Sequence, residues 1–255
     1  MQNLSVVMIA QDEERIIEKA LAAVKDIAGE IVLVDSGSKD RTLEIASSFG
    51  AKTIHQDWLG YAAQKNFALS QASGEWILSL DADEIITPEL AAEIRAVLAE
   101  GSNVQVDGYR IARLMHVGGH AITHGGFYPD KQMRLFRRGK GKFNDRLVHE
   151  SVVLEGKSAE LQHHLLHMSY RDLDHFSAAH EKYARLAAKE SIRSGYKRAK
   201  SSVLNLYLHP LWTFFYRYFV RLGFLDGPLG LQMNLAYSDY VRKKIAYLRE
   251  EEKSK

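Results

Sequence analysis

Two carboxylates separated by one residue follow an apolar run in the first third of the chain. Residues 76–80 are predicted to form a buried strand, and Asp81-Ala82-Asp83-Glu84 follows it directly. The end of a buried strand often presents an oxygen-lined site for a hard cation, and a cation held there can neutralise a diphosphate. Acidic residues are also common in turns, so taken alone Asp81 and Asp83 are equally compatible with a turn before a helix at Pro88.

Composition limits the classes of protein that fit. A chain of 255 residues, 46% hydrophobic and 26% charged, can bury a sizeable core as one large domain or as a domain with an appendage. Cysteine is absent, which excludes disulfides, thiolate zinc sites and a cysteine nucleophile and fits the cytoplasm. We expect no secretory leader in the first ten residues. The net charge of +2 gives no reason to expect a nucleic-acid partner.

Strand and helix patterns alternate through the first hundred residues. The predicted strands are residues 4–9, 31–34, 52–55 and 76–80, and the predicted helices are residues 16–24, 42–49, 61–72 and one that starts at Thr87-Pro88. Alternation of this kind predicts an α/β fold with a parallel sheet covered by helices.

Acidic loops follow three of these strands, at residues 10–14, 35–42 and 81–84. Ligands of such sheets bind beyond the carboxyl ends of the strands, so we expect the loops to converge on one edge. Neither a G-x-x-x-x-G-K-[ST] phosphate loop nor a G-x-G-x-x-G fingerprint occurs. The sequence therefore predicts that phosphate is held through a metal ion.

Four segments in this order carry a more specific likeness: residues 7–13, 35–42, 64–66 and 81–83. Together they resemble the family 2 glycosyltransferases, and the likeness covers about the first 170 residues. It implies a GT-A (Rossmann-like nucleotide-diphospho-sugar transferase) fold with a mostly helical C-terminal extension. The corresponding division is a catalytic domain at 1–168 and a helical, basic and aromatic region at 169–255. The ligands implied are a nucleotide-sugar donor and Mg²⁺ or Mn²⁺.

The resemblance also implies roles for individual residues. It implies nucleotide-sugar contacts for Ala10, Gln11, Glu13, Asp35, Lys65, Asp81 and Ala82. It makes Asp83 a metal ligand and allows His167 to complete the metal site, with a structural histidine as the alternative at that position. The second segment departs from the family pattern, because Ser36 follows Asp35 where a second acid is more usual.

Sugar transfer also requires a group that removes a proton from the acceptor hydroxyl. The resemblance places Glu150 as this general base in an inverting reaction, and His149 beside it could orient it. Without the resemblance, Glu150 would be interpreted as a glutamate at an exposed strand edge. His163 and His164 are predicted to be structural.

Residues 124–138 combine glycines, a proline and polar side chains, and a strand is predicted over 133–138. The resemblance assigns such a segment to acceptor contact through Tyr128, Asp130, Gln132 and Arg134. Arginine offers a fork of donors that suits sugar hydroxyls or phosphate. An ordinary surface hairpin is the alternative.

The last third of the chain is aromatic and basic. Eight aromatic residues lie between Tyr207 and Phe224, interrupted by charges that make a membrane-spanning helix a poor interpretation. Upstream, Arg185, Lys189, Arg193 and Lys197 recur every four residues and would share one helical face. An interfacial segment on an anionic membrane surface, with arginines against lipid phosphates, is one interpretation; packing on the catalytic domain is the other.

The likeness is greatest to lipopolysaccharide inner-core glucosyltransferases, which implies transfer of glucose from UDP-glucose to a heptose. A protein of this kind is expected at the inner face of the cell inner membrane as a peripheral protein. Transfer to polyprenyl phosphate or another glycolipid is an alternative function. A nucleotidyltransferase would normally carry a glycine- and arginine-rich loop after the first strand, where this chain has residues 11–14. A non-enzymatic membrane adaptor is the alternative from a different class.

Overall fold

The structure, a computed structural model, describes residues 3–145, 150–193 and 202–253. The chain divides into two compact units. The described residues of the first unit are 3–113, 130–145 and 150–167, and those of the second are 114–129, 168–193 and 202–253. The division into a catalytic domain at 1–168 and a C-terminal region at 169–255 stays a prediction.

The first half of the chain alternates strands with helices, and the last third is helical. The strands are β1 (Leu4–Ala10), β2 (Glu30–Asp35), β3 (Lys52–His55), β4 (Trp76–Ser79), β5 (Glu84–Ile86), β6 (Gly108–Val117), β7 (His120–Ala121), β8 (Asp130–Arg137), β9 (Gly141–Phe143), β10 (Val152–Leu154) and β11 (Ser158–Tyr170). The helices are α1 (Ile17–Val24), α2 (Thr42–Ser48), α3 (Tyr61–Ser70), α4 (Pro88–Ala99), α5 (Leu173–Arg193), α6 (Val203–Phe215) and α7 (Gly227–Lys253). Each helix and strand predicted in the first hundred residues is found, with ends that differ by one or two positions.

The main sheet is mixed. Its strand order is β3-β2-β1-β4-β8-β6-β11-β5, and β7 pairs with β6. The strands β1 to β4 are parallel, as the alternation predicts. The other half is antiparallel, because β6, β7 and β8 follow one another without a crossover helix, and short connections join antiparallel strands. The parallel sheet predicted from the first hundred residues is therefore confirmed for β1 to β4, and the antiparallel strands β6 to β11 lie beyond the residues on which that prediction was based.

Apolar side chains cover both faces of the parallel half. Along β1 and β2, Met8 and Leu33 pack on one face together with helices α1 and α4, and Val7 and Val32 pack on the other with α3. Alternate strand residues point to opposite faces, so a continuous apolar run fills two cores at once. Burial of each such side chain contributes roughly 1.5–3 kcal/mol.

Polar side chains cap the starts of α4 and α5. The backbone N–H of Leu90 donates to Thr87 Oγ1 at 3.2 Å, and Pro88 occupies the first turn of α4, as predicted. Helix α5 begins at Leu173, shortly after β11 ends at Tyr170. Asp172 is the capping side chain, and it accepts from the backbone N–H of His175 at 2.7 Å.

The second unit has its own small core and a large exposed apolar surface. Val117, Ile122, Phe127, Phe176 and Met233 form the core. The exposed surface, which we call the apolar face, lies on α6 and on the segment that leads into α7. Its members are Val203, Leu204, Tyr207, Leu208, Leu211, Trp212, Phe215, Tyr216, Phe219, Val220, Leu222, Phe224 and Leu225. Among the described residues, no helix has the length and apolarity needed to span a membrane.

The basic residues of this unit are divided between surface and interior. Lys189 and Arg185 are both exposed on α5, and the guanidinium of Arg185 also stacks over the ring of Tyr247 at 4.1 Å. Lys197 lies outside the described residues. Arg217 stacks over the rings of Phe127 and Tyr237, whereas Arg221 is exposed. Attraction to the electron-rich ring faces holds the Arg217 guanidinium inward.

Candidate active site

Three loops meet where β1, β2 and β4 end. Strand β1 lies between β2 and β4 and is parallel to both, so the chain leaves all three strands at one edge of the sheet. Ala10 is the register partner of Asp35. After β4, Asp83 lies near enough to Glu13 for its charge to act on that carboxyl. The expected convergence of the acidic loops is therefore confirmed.

The loop after β2 closes on its own aspartate. The buried carboxylate of Asp35 accepts the backbone N–H groups of Gly37 and Ser38 at 2.7 and 3.0 Å, and it also accepts the Ser38 hydroxyl. Gly37 has a φ of +100°, a conformation that favours glycine. Bonds of this kind define an Asx-turn, which fixes the loop. The contact of Asp35 with a nucleotide stays a prediction.

The two neighbours of Lys65 anchor its helix. On one side, Gln64 Nε2 donates to the hydroxyl of Ser36 in the β2 loop at 3.1 Å. On the other, the amide of Asn66 donates to the carbonyl of Phe143 and accepts its N–H, both at 2.9 Å. Among these three residues, Lys65 is therefore the one whose side chain contacts carboxylates of the site.

Lys65 joins two of the predicted site residues. Its Nζ lies 2.7 Å from Asp81 Oδ1 and 3.0 Å from Glu150 Oε1, and its side chain is 10% exposed. Burial would lower the pKa of Lys65, but the charges of Asp81 and Glu150 outweigh burial and raise it. The predicted general base, Glu150, therefore faces an ammonium group.

Asp81 bridges two cations. While Oδ1 contacts Lys65, Oδ2 lies 2.9 Å from Nη2 of Arg134. Burial opposes ionisation, yet the two cations hold the pKa of Asp81 well below its usual range. Asp81 is thus a fixed anion in the middle of a charged network, which limits how far its carboxylate can turn.

Arg134 lies inside the protein, beside a glutamate that the sequence analysis did not single out. Arg134 is 4% exposed, and its Nη2 contacts both Asp81 and the fully buried Glu84. Burial would lower the pKa of Arg134, but the charges of Glu84 and Asp81 raise it. Its observed contacts hold Asp81 in place, and its contact with an acceptor stays a prediction.

A second arginine extends the network towards the predicted acceptor segment. Arg113 lies 3.2 Å from Glu84 through Nη1, and its Nε donates to Asp130 Oδ2 at 2.9 Å. Gln132 Nε2 donates to Asp130 Oδ1 at 2.7 Å. Burial would raise the pKa of Asp130, but the charge of Arg113 lowers it. Asp130, Gln132 and Arg134 are therefore linked to Asp81 through bonded side chains.

Glu84 and Arg113 are the contributors to this network that sequence reasoning missed. The sequence could have indicated Glu84 as a site residue, because it directly follows Asp83 in the acidic loop; it is the first residue of β5. For Arg113 the sequence gives no such indication, because it lies within an ordinary strand pattern at β6. Only the pairing of β6 with β8, which sets Arg113 opposite Asp130, brings it to the site.

Asp83 and His167 lie close together at the edge of the sheet. The pairing of β11 with β5 sets His167 opposite Glu84, and His167 Nε2 lies 3.5 Å from Asp83 Oδ2. Both side chains are partly exposed, at 27% for Asp83 and 17% for His167. Burial, followed by the charge of Asp83, raises the pKa of Glu13 to about 7. The site thus crowds negative charge that a cation would relieve.

This donor set fits Mg²⁺ or Mn²⁺ with two protein ligands. Carboxylate oxygen and imidazole nitrogen both bind divalent cations, and octahedral ligands about 2.1 Å from one cation lie roughly 3 Å apart. In the described part of the chain, no group of three or more His, Cys, Asp or Glu residues is placed to hold a metal ion. The remaining ligands would come from the donor's phosphates and from water.

The other predicted residues are placed as follows. Ala10 and Ala82 are buried at the edge of the sheet, and Gln11 is exposed. Tyr128 is half-buried in the second unit, and His149 lies outside the described residues.

Two further histidines near β5 have structural contacts. His163 Nδ1 lies 2.9 Å from Glu93 on α4, and the backbone carbonyl of His164 accepts the Thr87 hydroxyl at 3.1 Å. These contacts tie β11 to α4 and agree with the structural role predicted for both histidines.

The chain matches known proteins over most of its length. The profile of glycosyl transferase family 2 matches residues 5–151. An uncharacterized glycosyltransferase of Rickettsia bellii is 32% identical, over 98% of this chain and 87% of its own length. The lipopolysaccharide core biosynthesis glycosyltransferase LpsC of Rhizobium meliloti is 33% identical, over 88% of this chain and 82% of its own.

Solved structures show the same fold. Residues 1–349 of Staphylococcus aureus TarS, in complex with UDP-GlcNAc, align with a TM-score of 0.53 and 17% identity, over 99% of this chain and 92% of that one. Glucosyl-3-phosphoglycerate synthase from Mycobacterium tuberculosis, in complex with phosphoglyceric acid, aligns with a TM-score of 0.51 and 18% identity, over 77% and 81%. The protein is a glycosyltransferase with the GT-A fold and belongs to glycosyl transferase family 2.

Proposed function

We propose that this glycosyltransferase transfers a sugar, glucose from UDP-glucose, to a heptose of the lipopolysaccharide inner core. The reaction is metal-dependent and inverts the anomeric centre. The observation that carries the chemistry is the pair Asp83 and His167, 3.5 Å apart at the edge of the sheet where three acidic loops meet. The observation that favours the acceptor is the 33% identity with LpsC of Rhizobium meliloti.

The donor lies against the ends of β1, β2 and β4 in this proposal. The nucleoside contacts Ala10, Gln11, Glu13 and the loop that closes on Asp35. Lys65 approaches the nucleotide, Asp81 contacts the ribose or a water on the metal, and Ala82 also contacts the nucleotide-sugar. The network of Lys65, Asp81 and Arg134 supports this arrangement, because a fixed set of charges needs little reorganisation when charge develops during the reaction.

Asp83 and His167 would hold the divalent cation. When bound, the cation neutralises the negative charge that develops on the leaving diphosphate. Asp83 and His167 would fix the position of the cation. Glu13 lies beside Asp83 in the loop after β1.

Glu150 acts as the general base for the acceptor hydroxyl. The contact of its carboxylate with Lys65, at 3.0 Å, fixes one oxygen relative to Asp81, which supports a positioned base more than a freely rotating surface glutamate. Asp130, Gln132 and Arg134, with Tyr128, bind the acceptor, and His149 orients Glu150.

The acceptor is an amphiphile in this proposal, and the protein works at the inner face of the cell inner membrane. The apolar face of the second unit supports a peripheral contact with lipid, because single exposed apolar residues are ordinary but a contiguous patch of this kind marks an interaction surface. Aromatic side chains such as Trp212 and Tyr216 suit the headgroup region.

The experiment measures UDP release from UDP-sugars with Mn²⁺ or Mg²⁺ and a heptose-containing core acceptor. Asp83→Asn and Glu150→Gln are compared with two conservative controls, Asp26→Asn and Glu155→Gln, whose side chains are exposed. We expect each site variant to lose at least about a hundredfold in kcat and each control to keep wild-type activity. Wild-type activity in both site variants would refute the site, and NMR of the product's anomeric proton tests inversion.

A further inference from the structure

A large cavity lies within the second unit, and none of its lining residues belongs to the carboxylate network. Its volume is about 910 Å³. Residues of α5, α6 and α7 and of the turns beside them line it, among them Gly126, Trp212, Arg217, Arg221, Tyr237 and Ile245. No step of the proposed sugar transfer uses these side chains.

Two arginines converge at one end of the cavity. A Cβ built on Gly126 would lie 3.4 Å from Arg217 Nη1 and 3.6 Å from Arg221 Nε, so both guanidinium groups approach the same backbone position. The guanidinium of Arg217 lies 4.1 Å from the ring of Phe127 and 3.9 Å from that of Tyr237. The stacking fixes this group in place, while Arg221 is exposed at the rim.

The positive charge at this end has no carboxylate partner. In the described ranges, no aspartate or glutamate pairs with Arg217 or Arg221, and the segments outside those ranges contain neither residue type. Nε and Nη2 of Arg217 are buried without a hydrogen-bond partner among the described residues. A buried guanidinium without an anion is costly, so the site favours binding of one.

The rest of the cavity has an apolar wall on α7 and aromatic side chains that belong to the apolar face; its other polar lining residues are Ser191, Asn205, His209, Thr213 and Lys244. Val241, Ile245 and Leu248 on α7 line its interior. Trp212 and Tyr216 line it too, and they are 61% and 40% exposed as members of the apolar face. The cavity therefore combines a cationic end with apolar walls that continue to an exposed apolar surface.

We propose that this cavity binds an amphiphile with one anionic headgroup. The phosphate of the amphiphile lies between Arg217 and Arg221 beside Gly126, and its hydrocarbon chain lies along the apolar wall of α7 towards the apolar face. This inference goes beyond the proposed function, since it holds whichever sugar and acceptor the enzyme uses. Charge complementarity and the apolar walls together select an amphiphile over a free anion.

Isothermal titration calorimetry on the full-length protein tests the proposal with three probes. Oleoyl lysophosphatidic acid is titrated below its critical micelle concentration, beside mono-oleoylglycerol, which has the same chain without the charge, and inorganic phosphate, which has the charge without the chain. We expect lysophosphatidic acid to bind at least about tenfold more tightly than either. Equal affinity for the neutral lipid would overturn the anion site, and equal affinity for phosphate would overturn the chain site.

Two substitutions and a matched control locate the binding site. Arg221→Gln is preferred to a change at the stacked Arg217, because Arg221 is exposed and its loss leaves the stacking of Arg217 on the aromatic rings intact. The control is Arg242→Gln. Arg242 is also on the surface, and its guanidinium donates to Asp239. Val241→Phe fills the apolar part without changing charge.

We expect Arg221→Gln to weaken lysophosphatidic acid binding about tenfold or more, because a charge-assisted hydrogen bond is lost. Arg242→Gln should bind the lipid as wild type does. Val241→Phe should weaken the lipid but leave any phosphate binding unchanged. Thermal unfolding of each variant is measured in parallel to confirm folding. Equal binding by Arg221→Gln and Arg242→Gln would place the lipid elsewhere and overturn the proposal.

Discussion

Arg134→Met removes the guanidinium that joins Asp81 to Glu84. Methionine keeps an unbranched side chain of similar reach but donates no hydrogen bond, so the fully buried Glu84 and the partly buried Asp81 each lose a charged partner. Asp81 keeps Lys65 at 2.7 Å, and Glu84 keeps Arg113 at 3.2 Å. The loss is therefore partial at both carboxylates.

The magnitude follows from these contacts. A hydrogen bond to a charged group contributes about 1.5–3 kcal/mol, and breaking a buried ion pair costs about 3–5 kcal/mol. Two bonds are lost, but both carboxylates retain a cation, and the unpartnered buried Nε of Arg134 is removed as well. We expect Arg134→Met to lower the free energy of unfolding of the first unit by about 3 kcal/mol.

Urea unfolding followed by the fluorescence of Trp76 measures this loss. Trp76 lies in β4, in the same unit as Arg134, and it is 3% exposed. The chain has three tryptophans, so a Trp58→Phe, Trp212→Phe background leaves Trp76 as the sole reporter. A single reporter avoids mixing the unfolding of two units.

Lys131→Met is the matched control for this measurement. Lys131 on β8 pairs with Glu160 on β11, but the two side chains are 41% and 49% exposed. Exposed ion pairs contribute at most about 1 kcal/mol, so this variant should unfold almost as wild type. If Arg134→Met costs no more than Lys131→Met, the buried network does not stabilise the site as argued.

Two further predictions concern the second unit. Gly230→Ala should lower the melting temperature by several degrees, because its Cβ would lie 2.2 Å from the carbonyl oxygen of Gly223; an unchanged melting temperature would show that α7 moves freely there. Asp226→Asn should cost about 1–3 kcal/mol at neutral pH, measured by urea unfolding. Burial would raise the pKa of Asp226, but hydrogen bonds from His124 and Thr123 lower it below the unfolded value. This contribution is therefore present above the unfolded pKa, near 4, and is lost as pH falls through the folded pKa, so the gap between wild type and variant should close in acid; a gap independent of pH would contradict the argument.

Much of the candidate site follows from local sequence. The apolar runs set β1, β2 and β4, the rule for parallel strands sets the edge where their loops meet, and the loops carry Glu13, Asp35, Asp81 and Asp83. These are short-range signals, since each depends on residues within one strand and the turn after it. The antiparallel half was not predicted, because pairing of strands distant in sequence leaves no periodic signal.

The sequence alone determined the strand and helix order of the first hundred residues, the acidic loops and the family. Only the tertiary structure decided which charges meet: that Lys65 contacts both Asp81 and Glu150, that His167 on β11 reaches Asp83, and that Arg134 turns inward to Asp81 and Glu84. It also decided that Arg217 stacks on aromatic rings beside a cavity instead of facing outward. The physical reason is that residue type sets what a side chain can bind, whereas the partner it finds depends on register and packing between segments far apart along the chain.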